Sequence, residues 1–101
     1  MVFQQGGCVY ILTNTYHNVL YVGVTSDLIT RIWDHKNKTH PGSFTAKYNC
    51  DKLVYYESYS RIEEAIAAEK LLKGGNKKSK LNLINTMNPN RIDLYNDLIK
   101  E

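Results

Sequence analysis

Two tyrosines, an arginine and a histidine near the start of the chain are the residues whose types and spacing carry chemistry. Tyr10 and Tyr21 each lie at the centre of a short apolar run, Cys8-Val-Tyr-Ile-Leu12 and Val19-Leu-Tyr-Val-Gly-Val24. Arg31 and His35 follow four positions apart, and so share one face of any helix that holds both. A cation and an imidazole one turn apart, close enough to face the hairpin and its two phenols, are an unusual combination for a packing surface. Packing is the plainer use of a strand tyrosine, because aromatic rings suit a pleated, half-buried surface. On these residues alone both readings stand.

Glu69 is also out of pattern. The apolar stripe Ile62, Ala65, Ile66 and Leu72 recurs at helical spacing, and the position that completes it between Ile66 and Leu72 is a carboxylate. Burying an ionised carboxylate alone costs several kcal/mol, so an Arg, a Lys or a metal ion is expected beside it. The alternative is a rim position with the stem buried and the head in water.

The elements that must position these residues can be read in order. The two apolar runs flank Asn14-Thr-Tyr-His-Asn18, whose asparagines tolerate the positive φ of hairpin loops, and predict a β-hairpin. Thr25-Ser-Asp27 offers N-cap oxygens for a helix in which Leu28, Ile29, Ile32 and Trp33 recur through His35. Lys36 to Asn49 has turn chemistry, including Pro41-Gly42, and reads as a loop holding Lys36, Lys38, His40 and Lys47. Lys52 to Ser58 predicts a third strand, with Leu53 and Tyr55 on one face and Val54 and Tyr56 on the other.

Ser60-Arg-Ile-Glu63 fits a capping box opening the Glu69 helix, which Gly74-Gly75 would end. Ser79 to Met87 predicts another helix through Leu81 and Ile84. Asn88-Pro89-Asn90 then breaks the pattern before a last helix with Ile92, Tyr95, Leu98 and Ile99 inward. The order β-β-α-loop-β-α-α-α predicts an α+β fold, a small three-stranded antiparallel sheet flanked by helices, as one domain over residues 1–101.

Composition narrows the partners. With 101 residues, 43% hydrophobic and 23% charged, the chain suffices for one core and not two. The net charge of +3 argues only weakly for an anionic partner, but its distribution says more. Lys70, Lys73, Lys77, Lys78, Lys80 and Arg91 fall in a stretch without an acidic residue, which is either a solvated face or a surface for phosphates. Cys8 and Cys50 lack zinc-site spacing and make no disulfide scaffold, so they read as small, reduced, buried residues of a cytoplasmic protein. Met1 to Gly7 has no basic start or long apolar run, and nowhere do roughly 18 apolar residues run together, so neither export nor a membrane span is expected.

Val9-Tyr10, Leu20-Tyr21-Val22-Gly23, Thr25-Ser26-Asp27-Leu28, Arg31, His35, Glu69-Lys70 and Asn88-Pro89, in that order, resemble the GIY-YIG nuclease domain, and most of all its small stand-alone bacterial members. The resemblance covers nearly the whole chain. It implies that Tyr10 and Tyr21 match the tyrosines of the two tripeptides, Arg31 and His35 the basic residues of the following helix, and Glu69 the metal-ligand glutamate. Cys8 and Val9 depart from Gly and Ile in the first tripeptide, and Val22 from Ile in the second. Gly74-Gly75-Asn76 lacks the aromatic residue that related small members often carry there.

What the resemblance implies is a DNA endonuclease of repair or recombination. Glu69 would hold one Mg²⁺ or Mn²⁺, Arg31 would brace the phosphate, and Tyr10 would take the proton of water with Tyr21 or His35 assisting. A phenol of pKa about 10 then needs nearby positive charge to lower it. Lys36, Lys47, Lys70, Lys73, Lys77, Lys78 and Asn88 are the expected DNA contacts, and an accessory protein would supply substrate recognition that so small a domain lacks. The alternative is a non-catalytic module on the same fold, binding nucleic acid or protein.

Overall fold

The computed structural model describes residues 6–100. The reading of the N-terminus as free of an export signal falls mainly on residues 1–5, outside the described ones. Three strands form one antiparallel sheet: β1 (Gly7–Thr13), β2 (Leu20–Thr25) and β3 (Lys52–Tyr59), in the order β2-β1-β3. The helices are α1 (Leu28–Lys36), α2 (Phe44–Lys47), α3 (Ile62–Gly74), α4 (Lys77–Met87) and α5 (Tyr95–Leu98). This is the expected α+β arrangement. Among the described residues no helix is long and apolar enough to cross a membrane.

Every residue of β1 is buried, because this central strand is covered on both faces. Cys8, Tyr10 and Leu12 point to one side, where they meet Leu28 and Ile32 of α1, Cys50, Leu53 and the half-buried Leu94, Tyr95 and Leu98. Val9 and Ile11 point to the other, against Val22, Val54, Tyr55, Ala65 of α3 and Ile84 of α4. Both cysteines are buried free thiols, as expected, and burial pushes the Cys8 thiol up to about 11.

The alternation expected of β3 fails at one point. Ile11 pairs with Tyr55 but Leu12 with Leu53, so Val54 is the extra residue of a bulge. Val54 and Tyr55 therefore share the α3 side, and Leu53 and Tyr56 the α1 side. The hairpin loop also works differently from expectation. His17, not an asparagine, takes the positive φ of 59°. Asn14 serves by its side chain, whose Oδ1 accepts from the amides of Asn18 at 3.0 Å and Val19 at 3.3 Å.

Asp27 caps α1 as predicted, accepting from Thr30 N at 3.2 Å. The capping box of α3 does not form. Arg61 occupies the N-cap without a side-chain bond, and Ser60 Oγ donates instead to Glu64 Oε1 at 3.3 Å, one residue beyond Glu63. α3 does end at Gly74, but Gly75 has φ −81°, so the glycines terminate it without a left-handed residue. Asn76 then caps α4 by accepting from Ser79 N at 2.8 Å. The inward stripe of α3 is Ile62, Ala65, Ala68, Glu69 and Leu72, with Ile66 turned out.

Two further expectations are corrected. The stretch from Lys36 is not all loop: α1 extends through Lys36, and Ser43 caps the short α2 by accepting from Ala46 N at 3.3 Å. At the C-terminal end Ile92 and Ile99 are exposed, and Leu94 packs inward with Tyr95 and Leu98. Asp93 sets that geometry: its Oδ1 accepts from Leu53 N at 3.2 Å and Tyr95 N at 3.1 Å.

Candidate active site

Gly23 lies opposite Tyr10 in the β1–β2 register, and a Cβ there would come within 2.4 Å of the Tyr10 ring and hydroxyl. Only the missing side chain admits the ring. Tyr10 is 1% exposed, yet its hydroxyl has a partner, His35 Nε2 at 2.9 Å. The other ring nitrogen, Nδ1, lies 2.8 Å from Thr45 Oγ1 on α2, which in turn is 3.3 Å from Ser43 Oγ. Tyr21 completes the group: its ring centroid is 6.3 Å from that of Tyr10 and 5.7 Å from that of His35. Phe44 stacks on Tyr21 at 6.0 Å, and Tyr48 meets Phe44 at a tilt with ring centroids 4.7 Å apart. One turn before His35, the exposed Arg31 acts electrostatically on the buried Tyr10 and the half-buried His35.

The electrostatics differ from the sequence-based expectation. Burial holds the Tyr10 hydroxyl above its ordinary range, and the neighbouring Tyr21 adds to that, while the positive charge of Arg31 offsets only part of it. The expected lowering by nearby charge does not prevail. His35 is lowered by burial first and then by Arg31, with Asp34 opposing and His40 adding a little, which favours a neutral imidazole able to accept a proton.

Glu69 lies in the other layer, on α3, and its partner Lys73 is the residue that lines the Tyr21 side. Only 8% exposed, Glu69 is paired through Oε2 with Lys73 Nζ at 2.7 Å, one turn along α3. That hydrogen bond raises the Lys73 ammonium above its ordinary value. A depression of about 340 Å³ lined by Leu20, Tyr21, Val22, Phe44, Lys73 and Lys80 joins the two layers at the β2 edge. Another, about 390 Å³, lies between α3, α4 and the far face of the sheet and includes none of Tyr10, Tyr21, Arg31, His35 or Glu69.

Among the described residues no three His, Cys, Asp or Glu side chains cluster as a metal site. A single carboxylate suits a hard ion that keeps most of its waters, such as Mg²⁺ or Mn²⁺, and does not suit zinc. The donor set therefore fits the ion that the sequence leads one to expect, with Lys73 the cation now beside the carboxylate.

The expected DNA contacts divide. Lys70 and Lys78 are exposed on α3 and α4, and Lys47 is exposed on α2 with its ammonium 5.5 Å from the Tyr48 ring centroid. Lys77 donates to Asn18 O at 2.9 Å, tying α4 to the hairpin loop. Lys36 is turned elsewhere, donating to Asp51 O at 2.8 Å, pairing with Asp93 and lying over the Tyr95 ring. Asn88 is buried, and its carboxamide is taken up by Val54 O at 3.3 Å, Ile92 O at 2.7 Å and Ile92 N at 3.1 Å. Both hold the C-terminal segment onto the fold. Thr45, Phe44 and the space-making role of Gly23 were not among the residues singled out from the sequence; Ser43-Phe-Thr-Ala46, a cap before a buried pair, was the available signal for the first two.

Comparison with known proteins agrees with this fold. The family model described as the GIY-YIG catalytic domain matches residues 6–82. A UPF0213 protein of Pediococcus pentosaceus is 33% identical over 67 residues, 66% of this chain and 70% of that protein. The solution NMR structure of a UPF0213 protein from Bacillus halodurans superposes with a TM-score of 0.54 at 25% identity, covering 84% of this chain and 88% of the other. By the family match across its sheet, its first three helices and the first half of α4, the chain belongs to the GIY-YIG family.

Proposed function

We propose that the protein is a metal-dependent DNA endonuclease that cleaves phosphodiester bonds by attack of water. The observation that carries this reading is the part-buried hydrogen bond from Tyr10 to a neutral His35, with Arg31 one turn away. A phenol held above its ordinary pKa is a poor reservoir of phenolate. It can still serve as a base when a second acceptor takes its hydrogen as it takes one from water. Water would give a proton to the Tyr10 oxygen, and the Tyr10 hydrogen would pass to His35 Nε2. Arg31, exposed beside this pair, would hold the scissile phosphate and its developing charge.

Glu69 would hold one Mg²⁺ or Mn²⁺. When bound, such an ion supplies positive charge at the leaving 3′ oxygen. Nucleases of the family generally use divalent ions, which supports this assignment. Lys47, Lys70, Lys77 and Lys78 would meet phosphates around the site, with Lys73 released to do so when Glu69 takes the ion.

The Lys73–Glu69 pair also favours a second reading. Because the carboxylate already has a cation beside it, its place in the apolar stripe does not by itself require a metal ion, and a nucleic-acid-binding module is consistent with it. Digestion of labelled single-stranded, duplex and branched DNAs with Mg²⁺ or Mn²⁺, with chelator as control, separates the two. Chelator-sensitive cleavage lost in Glu69→Gln supports the nuclease. Binding without cleavage of any of the three substrates supports the module.

A further inference from the structure

We propose that Thr45 is a positioning residue that holds His35 in its Nδ1–H tautomer and so makes Nε2 the acceptor for the Tyr10 hydrogen. The hydrogen count leads there. Tyr10 is buried and neutral, so its hydroxyl carries a hydrogen that needs an acceptor. Arg31 has only donors, and among the described residues the hydroxyl's acceptor is His35 Nε2 at 2.9 Å. A neutral imidazole that accepts at Nε2 carries its hydrogen on Nδ1, which then donates to Thr45 Oγ1 at 2.8 Å. Thr45 Oγ1 lies 3.3 Å from Ser43 Oγ, a pair in which either hydroxyl is able to donate, and Ser43 Oγ accepts from Ala46 N at 3.3 Å.

The chain thus runs in one direction from Tyr10 to His35 to Thr45, and beyond Thr45 lies Ser43, the cap of α2. This gives the short helix a function. It sets a hydroxyl acceptor, 3% exposed, under the one ring nitrogen that fixes the state of the other. In the step itself the Tyr10 O–H bond breaks and an Nε2–H bond forms, leaving an imidazolium whose Nδ1–H still points at the Thr45 oxygen. The charged and titratable groups that face His35 are Tyr10 from β1, Tyr21 from β2, Arg31 and Asp34 from α1, and His40 from the connection to α2. On the Nδ1 side the hydrogen-bond partner is Thr45.

The kinetic consequence rests on the nuclease reading, whereas the tautomer does not, so the two are tested separately. A proton–nitrogen NMR spectrum of the imidazole rings above neutral pH, assigned by the signal missing in His35→Gln, should show His35 with hydrogen on Nδ1 in the parent protein. Thr45→Val should shift it toward Nε2–H and lower kcat roughly tenfold to a hundredfold with KM unmoved, as loss of a partner orienting an imidazole does. Thr45→Ser should restore both. An Nε2–H ring in the parent protein overturns the proposal, and so does a Thr45→Val protein that keeps the Nδ1–H form. If Thr45→Val fails to fold, the parent spectrum and Thr45→Ser still decide. A parent protein that cleaves no DNA defeats the nuclease reading, and the spectrum then judges the tautomer alone.

Discussion

On the α1 side of the sheet, Tyr10 is sealed inside an apolar cluster and still has its hydroxyl bonded to His35, whose other nitrogen is bonded to Thr45. On the α3 side, Glu69 stands at the margin of an otherwise apolar cluster and is balanced by one lysine, itself 53% exposed. The first arrangement is a chain of neutral groups, whose cost of burial is offset link by link by hydrogen bonds. The second is an isolated charge that has to stay near water and near a cation. The neutral chain and the charged pair thereby lie in different layers, and at the β2 edge Tyr21 and Lys73 line one depression.

If the layers divide the work in this way, variants on the two sides should fail differently. Glu69→Gln should abolish metal-dependent cleavage while leaving a folded protein that binds DNA, and undiminished turnover at saturating Mg²⁺ would refute its role. Tyr10→Phe should lower single-turnover cleavage by about 10²–10⁴-fold with binding little changed, and Arg31→Ala should be comparably inactive. Stability should fall by only about 0.5–1.5 kcal/mol in Tyr10→Phe, the worth of one hydroxyl hydrogen bond. A Tyr10→Phe rate within about threefold of the parent, far short of the loss expected for a general base, would remove Tyr10 from the chemistry.

Gly23→Ala tests whether the α1-side chain depends on space. Its methyl would overlap the buried Tyr10 ring, so a loss of about 1–3 kcal/mol is expected together with disruption of the Tyr10–His35 bond. An unchanged melting temperature would mean that the strand yields without cost.

The neutral chain also has an acid limit. Because the His35 pKa is lowered in the folded state, the unfolded chain takes up that proton first as pH falls below about 6.5. The stabilisation is complete above that pH and is lost as pH drops through the folded value. Denaturant titrations of the parent and His35→Gln across this range should show a shallower acid slope in the variant, and parallel slopes would place the proton elsewhere.

The smallest effect is expected from the outer surface. Replacing Lys77 and Lys78 by Ala should weaken DNA binding across sequences and flatten the salt dependence of log K by about one to two units. An unchanged slope would return the run to a solvated face. Since Lys77 also holds Asn18 O, the single variant Lys78→Ala separates phosphate contact from loosening of the hairpin loop.

The parts of this arrangement legible in the sequence are those governed by period and local chemistry. The hairpin runs, the Asp27 cap and the Arg31–His35 spacing needed no tertiary knowledge, and Glu69 stood out because a carboxylate in an apolar stripe violates the period. The bulge at Val54 did not, since one additional residue changes which side chains share a face without altering the apolar composition of β3. The α3 cap was misjudged by one position because Glu63 and Glu64 are equally able partners in sequence, and backbone geometry chose the second. Thr45 was hidden for another reason. Its role exists only because α2 returns to α1, and a threonine in a polar connection carries no periodic signal. Lys36 and Asn88 look like surface residues by type, but the residues that capture them lie far along the chain or beneath it.

The capture of Lys36 by Asp93 has a consequence in time. Lys36 follows His35 directly, and the residue that secures it comes 57 positions later, on a segment whose Leu94 amide also closes the outer edge of β3 by donating to Leu53 O at 2.8 Å. During synthesis the hairpin, α1 and even α3 exist before position 93 emerges. Until then β3 presents an unprotected edge of the kind that recruits other chains, and the end of α1 lacks its tether. The segment around Asp93 therefore covers the Leu53 end of β3 and tethers the end of α1 at once, and a chain lacking it is expected to lose both together.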